Sequence, residues 1–252
     1  MTSEKEQIIS RKEVVKRTIR SFLFFFMMIV VAIAGWKWMI HQPEDNGIPK
    51  PIRAVLNTNE KIFSNVFYND ENLAKAFPLS EVVAHTRVNG NDGMSDGFDP
   101  TTWKLQVIRK AGDTLFLTLD DIKKLPKTEV IFDFKCIEGW SQITHWGGVK
   151  FSDFVNAYHL DAQCRMDYVG MRTPDNGYYV GIDTRSILQP QTILCYEMNG
   201  QPLPMNQGYP LRLIIPVKYG IKHLKRIGTI FFSNTRPPDF WYERGYDYYA
   251  GL

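Results

Sequence analysis

An uncharged apolar run near the N-terminus constrains this chain more than any other feature. No charged side chain occurs from Ser21 to Trp36, and the run continues to Ile40 if Lys37 extends its ammonium group to a surface. The run is then long enough for a helix that crosses a bilayer, which needs about 20 apolar residues. Trp36 and Trp38 lie at one end, where interfacial anchors are common. The sequence therefore predicts a transmembrane helix over residues 21–40.

The charges before this run predict its orientation. The first twenty residues hold six Lys/Arg and three Glu, which accounts for the whole net charge of +3. Basic residues favour the cytoplasmic side, so residues 1–20 form a cytoplasmic basic segment. Residues 41–252 then lie in the periplasm, and the chain passes once through the inner (cytoplasmic) membrane. Ser10-Arg11-Lys12 resembles a twin-arginine export signal with lysine in place of the second arginine, which implies export of a folded protein.

Two other interpretations of the apolar run remain open. Ala32-Ile33-Ala34 fits the small-residue cleavage site of a signal peptide, although the long basic segment and the apolar residues after the site favour retention. A buried core helix is the second alternative, and the absence of a polar face does not favour it.

The composition of the rest of the chain excludes several classes of protein. Charged residues are balanced beyond residue 20, so no basic surface for nucleic acid is expected. No glycine-rich phosphate loop, haem-attachment motif or zinc-ligand spacing occurs. Of the three cysteines, Cys164 and Cys195 either form one disulfide or remain separate buried thiols.

Short alternating segments predict an α+β fold. Residues 41–79 form a linker and an N-terminal extension, with short helices near Val55–Val66 and Asn72–Ala76, and residues 80–252 form the main domain. Within that domain, strands are predicted at 103–108, 113–119, 129–134, 168–171, 178–182, 194–198, 211–216 and 227–232, and short helices at 120–125, 152–159 and 184–188. Short strands interspersed with short helices favour mixed or antiparallel sheets over a doubly wound parallel sheet.

Cys136 follows one of these strands directly. Lys135 precedes it, and a turn containing Gly139 and Trp140 follows it. A thiol at the end of a strand beside a cation is placed for a chemical role, because cysteine reactivity needs electropositive surroundings. A small buried hydrophobe is the alternative, since free cysteine often packs in cores.

Several ordered segments resemble one family, the sulfite-oxidase-fold molybdopterin-dependent oxidoreductases. The similarity covers roughly residues 80–250 and is strongest to the branch of bacterial protein-methionine-sulfoxide reductase catalytic subunits. The segments that carry it are Thr86-Arg87-Val88-Asn89-Gly90, Cys136-Ile137-Glu138-Gly139-Trp140, Trp146-Gly147-Gly148, Asn199-Gly200, the run from Gly208 to Pro216, Lys218-Tyr219-Gly220, Lys222-His223-Leu224-Lys225, and Arg236-Pro237-Pro238 with Trp241 and Tyr246.

The resemblance implies a set of site residues and a cofactor. Cys136 is the expected molybdenum ligand and catalytic residue, because soft thiolate sulfur suits a transition metal and would add to the two sulfurs of the pterin. The cofactor phosphate needs fixed donors and positive charge. The residues expected to bind molybdenum-molybdopterin are Arg87, Asn89, Gly90, Cys136, Thr173, Gln207 (or its neighbour Asn206), Arg212, His223, Leu224 and Lys225. The alternative for Arg212 and Lys225 is that they are solvent-facing surface charges and do not bind the cofactor.

The same resemblance implies two-electron oxygen-atom transfer. The expected enzyme reduces an S- or N-oxide such as methionine sulfoxide, with electrons from a separate membrane haem protein or other redox partner. Sulfite oxidation is the alternative reaction and would need several arginines, for which Arg87, Arg165, Arg172 and Arg212 are the candidates. A third alternative is that the protein is not an enzyme and keeps this fold as a cofactor-free binding module.

Two further sets of residues have open roles. His145 is either a proton carrier near the metal or a packed histidine. The C-terminal aromatic residues either line a substrate funnel or, for most of them, cap the core.

Overall fold

The computed structural model describes residues 10–66, 73–88 and 90–251. Two compact units divide the chain, Met1–Val55 and Leu56–Leu252.

A long helix, a small hairpin and the first turns of the next helix (residues 50–55) make up the described part of the first unit. Helix α1 spans Arg11–Ile40, and the side chain of Ser10 caps it by accepting a hydrogen bond from the amide of Glu13 at 3.3 Å. Among the described residues this helix alone has the length and apolar composition to cross a membrane, and none of its residues is buried. Its apolar portion coincides with the predicted segment 21–40.

The first residues of the predicted linker and extension, 41–51, contain regular structure. Strands β1 (Glu44–Asp45) and β2 (Ile48–Pro49) pair antiparallel. Asn46 and Gly47 between them have φ values of 50° and 80°, as a tight two-residue hairpin turn requires. The Asn-Gly signal in the sequence therefore marks a hairpin rather than an irregular linker.

Helix α2 spans Lys50–Val66 and begins five residues before the predicted start at Val55. Pro51 lies in its first turn, where a missing amide hydrogen costs nothing. The second predicted helix, near Asn72–Ala76, is wrong for the described residues. Ala76 instead forms an isolated bridge to Phe132, and Asn72 lies outside the described residues.

Two five-stranded sheets form the core of the second unit, which confirms the predicted α+β class with mixed sheets. The first contains β5 (Lys127–Lys135), β6 (Ser141–Lys150), β9 (Ile193–Met198), β10 (Gln201–Pro202) and β11 (Arg212–Ile214), in the order β10-β9-β6-β5 with β11 also on β9. The second has the order β4-β3-β12-β7-β8 and contains β3 (Leu105–Lys110), β4 (Asp113–Leu117), β7 (Tyr168–Arg172), β8 (Tyr179–Asp183) and β12 (Thr229–Ser233). Only the β3–β12 pair is parallel among these described strands.

Three short α-helices and several 3₁₀ turns connect the strands. The α-helices are α3 (Leu119–Lys123), α4 (Phe151–Ala157) and α5 (Thr184–Ile187), and each matches a predicted helix within a few residues. The 3₁₀ turns are Leu79–Glu81, Gln163–Arg165, Met205–Gln207, Gly220–Lys222 and Tyr242–Arg244.

Strand β6 has no counterpart among the predicted strands, although it is the longest strand described. Two adjacent glycines, Gly147 and Gly148, interrupt its pattern, and glycine weakens the sequence signal of a strand. Gly148 lies at a register shift between β6 and β9. A Cβ atom at this position would lie 2.2 Å from the carbonyl oxygen of Leu194. The close approach of the two backbones therefore requires glycine.

Two buried apolar clusters hold the sheets together. The larger one involves both sheets and helix α4, with Leu105, Phe154 and Leu213 among its fully buried members. The smaller one lies on the first sheet and contains Phe132, Phe134, Trp146 and Cys195. None of the three cysteines, all of which are described, forms a disulfide. Cys164 and Cys195 are therefore separate thiols, of which Cys195 is buried and Cys164 is half-buried.

We expect Gly148→Ala to lower the free energy of unfolding by about 2–3 kcal/mol, because its new methyl group overlaps rigid backbone. Gly147→Ala is the matched control. Its Cβ would meet only the side chains of Lys127 and Glu197, at 3.1–3.2 Å. Those side chains can move, so the loss should stay below about 1 kcal/mol. Urea denaturation measures both, and equal losses would contradict the assigned β6–β9 packing.

Candidate functional site

Cys136 occupies the first position of the tight turn between β5 and β6. Its amide donates to the carbonyl of Trp140 at 2.9 Å, and the amide of Gly139 donates to the carbonyl of Cys136 at 3.1 Å. The side chain is 4% exposed and lines a pocket of the second unit. Lys135 is exposed and does not line this pocket, because successive side chains of a strand point to opposite faces. The cation next to Cys136 in sequence is therefore not its neighbour in the pocket.

The pocket brings together segments that are far apart in the chain. Its lining residues are Gly90, Asp92, Cys136, Ile137, Glu138, Tyr178, Arg212, Gly220, Ile221, His223, Lys225, Trp241 and Tyr246. Five of these were predicted as site residues: Gly90, Cys136, Arg212, His223 and Lys225.

Arg212 supplies a buried positive charge to the pocket. It lies on β11 and is 2% exposed, which excludes the alternative of a solvent-facing strand residue. Its guanidinium packs over the ring of Trp146 at 4.6 Å and donates to the carbonyl and the side-chain oxygen of Gln207, at 3.1 and 2.9 Å. Its Nε is buried without a hydrogen-bond partner in the described structure, and no ion pair to a described carboxylate forms. Burial lowers the pKa of Arg212 to about 10.

Lys225 places a second cation in the same pocket. Its side chain is 9% exposed, and its Nζ donates to the carbonyl of Gly90 at 3.0 Å. Burial, followed by the charge of Arg212, lowers the pKa of Lys225 to about 7, while Asp92 acts in the opposite direction. Two buried cations that repel each other form a site that an anion would stabilise.

His223 is a neutral side chain beside Arg212. The amide of Ile215 donates to its Nδ1 at 3.4 Å, which leaves Nε2 as the donor to the carbonyl of Lys218 at 3.1 Å. Burial, followed by the charge of Arg212, lowers the pKa of His223 to about 3. The ring packs against Phe132 and Phe134, so it serves as a fixed wall rather than as a proton carrier.

Two further predicted residues lie next to the pocket without lining it. Gln207 bridges from Arg212 to the carbonyl of Arg87, to which its Nε2 donates at 3.4 Å. The guanidinium of Arg87 stacks on the ring of Trp140 at 4.8 Å. Both residues therefore position the segment that carries Gly90, while Asn89 lies outside the described residues.

Thr173 and Leu224 are buried away from the pocket lining. The hydroxyl of Thr173 lies 2.6 Å from an oxygen of Asp175 and accepts from the amide of Tyr178, so it closes the turn between β7 and β8. Leu224 packs in the larger apolar cluster, and its amide donates to the carbonyl of Lys222 at 3.0 Å. His145 is also buried outside the pocket, with Nε2 at 3.3 Å from a carboxylate oxygen of Glu129, which matches the alternative of a packed histidine.

The prediction missed several polar and aromatic residues of the pocket. Glu138 is two residues from Cys136 and accepts from the indole of Trp140 at 2.9 Å, and its position in the same turn was an available signal. Nothing in the sequence around Asp92 or Tyr178 indicated that these residues would line the pocket.

The C-terminal aromatic residues have two different environments. Trp241 and Tyr246 pack edge to face with ring centroids 5.0 Å apart and belong to the pocket wall, whereas Tyr248 is buried as a core cap. The C-terminal aromatic residues therefore divide between the two predicted roles.

Comparison with known proteins identifies the family. The family described as oxidoreductase molybdopterin binding domain matches residues 75–241. The chain belongs to this family. It is 31% identical over 82% of its length to a putative protein-methionine-sulfoxide reductase subunit, YedZ1, of Azospira oryzae, and covers 79% of that protein.

Two other relatives represent different members of the molybdopterin oxidoreductases. The catalytic subunit MsrP of protein-methionine-sulfoxide reductase from Campylobacter jejuni is 27% identical over 63% of this chain and 59% of that protein. Mouse mitochondrial sulfite oxidase is 29% identical over 59% of this chain and 32% of that protein. The expected enzyme class and the expected molybdenum-molybdopterin cofactor are thereby confirmed.

The residues of the pocket fit this cofactor. Cys136 offers the soft sulfur that a molybdenum ion takes as a ligand. Arg212 has a buried Nε without a partner in the described structure, and such a group is costly unless a ligand satisfies it. Lys225 adds a second positive charge, and together the two cations suit a phosphate group.

The depressed pKa of Lys225 predicts a pH-dependent stability of the cofactor-free protein. Between the folded value of about 7 and the usual value of 10.5, the unfolded chain binds more protons than the folded one. The free energy of unfolding should therefore rise with pH in this window, by up to about 1.4 kcal/mol per pH unit from this group. Denaturation of the wild type and Lys225→Met from pH 6 to 9 measures the contribution.

The variant should lose that rise relative to the wild type. Lys135→Met, which removes an exposed lysine, controls for the change in net charge. Parallel pH profiles of the wild type and Lys225→Met would contradict the depressed pKa.

Proposed function

We propose that this chain is the membrane-anchored, periplasmic catalytic subunit of an oxide reductase. In this proposal residues 1–20 are cytoplasmic, 21–40 form the anchor, 41–79 are a linker and extension, and 80–252 form the catalytic domain. The substrate is an S- or N-oxide, and methionine sulfoxide is the representative case. The pocket that joins Cys136 to two buried cations and an aromatic wall is the observation that carries the proposal.

Each group of pocket residues has a separate task. Cys136 would hold the metal, while Arg212 and Lys225 would hold the anionic part of the cofactor; the carbonyl of Gly90, which accepts from Lys225, positions that ammonium group. The neutral ring of His223 packs against Phe132 and Phe134 of the smaller apolar cluster and adds no third charge to the site. When bound, the molybdenum-molybdopterin group supplies the two-electron couple that accepts the oxygen atom of the substrate.

Once Arg212 and Lys225 are occupied by the cofactor phosphate, the other charges that line the pocket favour a neutral substrate over sulfite. Of the four candidate arginines for a sulfite site, Arg212 is the one that lines the pocket, and it already binds Gln207. Arg172 lines a different surface depression, and its guanidinium lies over the ring of Phe231. Two carboxyl groups, Asp92 and Glu138, line the pocket instead. Like charges repel, so they oppose the entry of a dianion and leave a sulfoxide unaffected.

The aromatic wall suits a thioether-type substrate. The rings of Trp241 and Tyr246 form an apolar corner of the pocket. Sulfur groups gain about 0.3–1.5 kcal/mol from contact with aromatic rings. The side chain of methionine sulfoxide is flexible and largely apolar apart from its S=O group, so such a corner would orient it.

The reaction balances with two electrons and two protons. The S=O bond breaks, the sulfoxide becomes a thioether, and the oxygen leaves as water. Asp92 and Glu138 are exposed carboxyl groups that can pass protons from solvent to the pocket. The electrons come from a separate redox partner, for which a membrane haem protein is the proposed class. Anchoring by α1 would raise the effective concentration of the catalytic unit near such a partner.

Cys136→Ser should abolish turnover of methionine sulfoxide with a reduced dye as the electron donor, because a hydroxyl replaces the metal-binding thiolate. Cys164→Ser is the matched control and should keep activity, since Cys164 packs against the core outside the pocket. Normal turnover by Cys136→Ser would refute the ligand assignment. Absence of molybdenum from the purified wild-type protein would favour the cofactor-free binding module.

Trp241→Ala should raise the KM for methionine sulfoxide about tenfold, the equivalent of about 1.4 kcal/mol, with a smaller change in kcat. Tyr246→Phe keeps the ring, so its KM should stay within about twofold of the wild-type value. Steady-state kinetics with methionine sulfoxide and with sulfite separate the two candidate reactions. Efficient sulfite oxidation without sulfoxide reduction would replace the proposed function with the sulfite oxidase alternative.

A further inference from the structure

A buried ion pair joins two segments that line the pocket. The ammonium group of Lys222 donates to a carboxylate oxygen of Asp239 at 2.5 Å, and the two side chains are 1% and 3% exposed. Strand β8 bonds to both partners, because the carbonyl of Gly181 accepts from Lys222 at 3.0 Å and its amide donates to Asp239 at 3.1 Å. Neither charged side chain is among the described residues that line the pocket. A buried ion pair adds little net stability compared with apolar side chains, so stability alone does not account for this one.

Lys222 belongs to the segment that carries two of the proposed cofactor-binding residues. Ile221 before it and His223 after it line the pocket, and Lys225 follows three positions later. The hydroxyl of Tyr178, another lining residue, donates to the carbonyl of Ile221 at 2.6 Å. One end of the ion pair is therefore fixed to the cofactor side of the pocket.

Asp239 opens the turn that carries the aromatic wall. Its free side-chain oxygen accepts from the amide of Tyr242 at 3.0 Å, and its backbone carbonyl accepts from the amide of Glu243 at 3.0 Å. Trp241 lies inside this turn, and its carbonyl accepts from the amide of Tyr246 at 3.0 Å. The carboxylate of Asp239 thus fixes the start of the turn from which the rings of Trp241 and Tyr246 reach the pocket.

We propose that the Lys222–Asp239 pair sets the separation between the cofactor side and the substrate side of the pocket, and that Asp239 is a positioning residue for Trp241. This inference rests on the proposed function, in which Trp241 is part of the wall that binds the substrate. The pair is buried, so water does not weaken the attraction between its charges. Loss of the pair should therefore displace the indole and weaken substrate binding, because small misplacements of binding groups have large effects.

Asp239→Asn tests the proposal in the molybdenum-loaded full chain. The amide cannot neutralise Lys222, so we expect the KM for methionine sulfoxide to rise about tenfold, as for Trp241→Ala, with kcat per bound molybdenum within about twofold of the wild type. Asp183→Asn is the matched control. It breaks the ion pair of Asp183 with the buried Lys218, 2.8 Å long, and neither residue lines the pocket. A purely structural role would lower the yield of loaded enzyme and leave KM unchanged.

A double variant tests whether Asp239 acts through the indole. Asp239→Asn should change the KM of Trp241→Ala by less than about twofold, because the ring that it positions is already absent. A further tenfold rise would overturn the proposal, as would an unchanged KM in Asp239→Asn alone or an equal rise in Asp183→Asn. If Asp239→Asn does not fold, Lys222→Met/Asp239→Asn replaces it with the same expectations, since no buried charge is then left unpaired. Failure of both to fold would make the pair structural and also overturn the proposal.

A measurement without substrate separates this proposal from the proposed function. The six tryptophans can be replaced by 5-fluorotryptophan, and Trp241→Phe identifies the fluorine NMR signal of Trp241. We expect this signal to shift or broaden in Asp239→Asn and to stay unchanged in Asp183→Asn. An unchanged signal in Asp239→Asn refutes the positioning role whatever the substrate is. A changed signal together with no turnover of methionine sulfoxide by the wild type refutes the proposed function alone.

Discussion

The buried pair of cations, Arg212 and Lys225, is the constraint on which the rest of the pocket depends. Burial of two like charges disfavours the charged forms, and the pKa values of about 10 and about 7 express this cost. A fold keeps such a pair only where another charge compensates it. The anionic cofactor of the proposed site would provide that compensation, while burial and the charge of Arg212 keep the neighbouring His223 neutral.

The two sheets bring the thiol to this charged site. Strands β5 and β6 form a long hairpin whose turn holds Cys136, and β11 on the same sheet carries Arg212. Trp146 on β6 lies under the guanidinium of Arg212, so the hairpin also fixes the cation. The proposed metal ligand Cys136 and the proposed phosphate-binding residue Arg212 thus share one rigid support, as a cofactor site requires.

The sequence predicted the fold class and most strands, because alternating apolar residues mark half-buried strands directly. It failed where glycine or polar residues hide the pattern, as in β6 with Gly147 and Gly148 and in the β1–β2 hairpin. In the site, residues on a recognisable segment such as Cys136 and Arg212 were found. Asp92 and Tyr178 were missed, since only tertiary packing brings them to the pocket. Thr173 and Leu224 stay predictions as cofactor-binding residues: the structure buries both side chains away from the pocket lining, and a matching position in sequence does not fix which way a side chain points.

Molybdenum K-edge X-ray absorption of the purified protein tests the central claim most directly. The account predicts three sulfur ligands in the wild type, two from the pterin and one from Cys136. It predicts the loss of one sulfur ligand in Cys136→Ser and no loss in Cys164→Ser. The same number of sulfur ligands in the wild type and in Cys136→Ser would contradict the assignment of Cys136 as the ligand and the mechanism built on it.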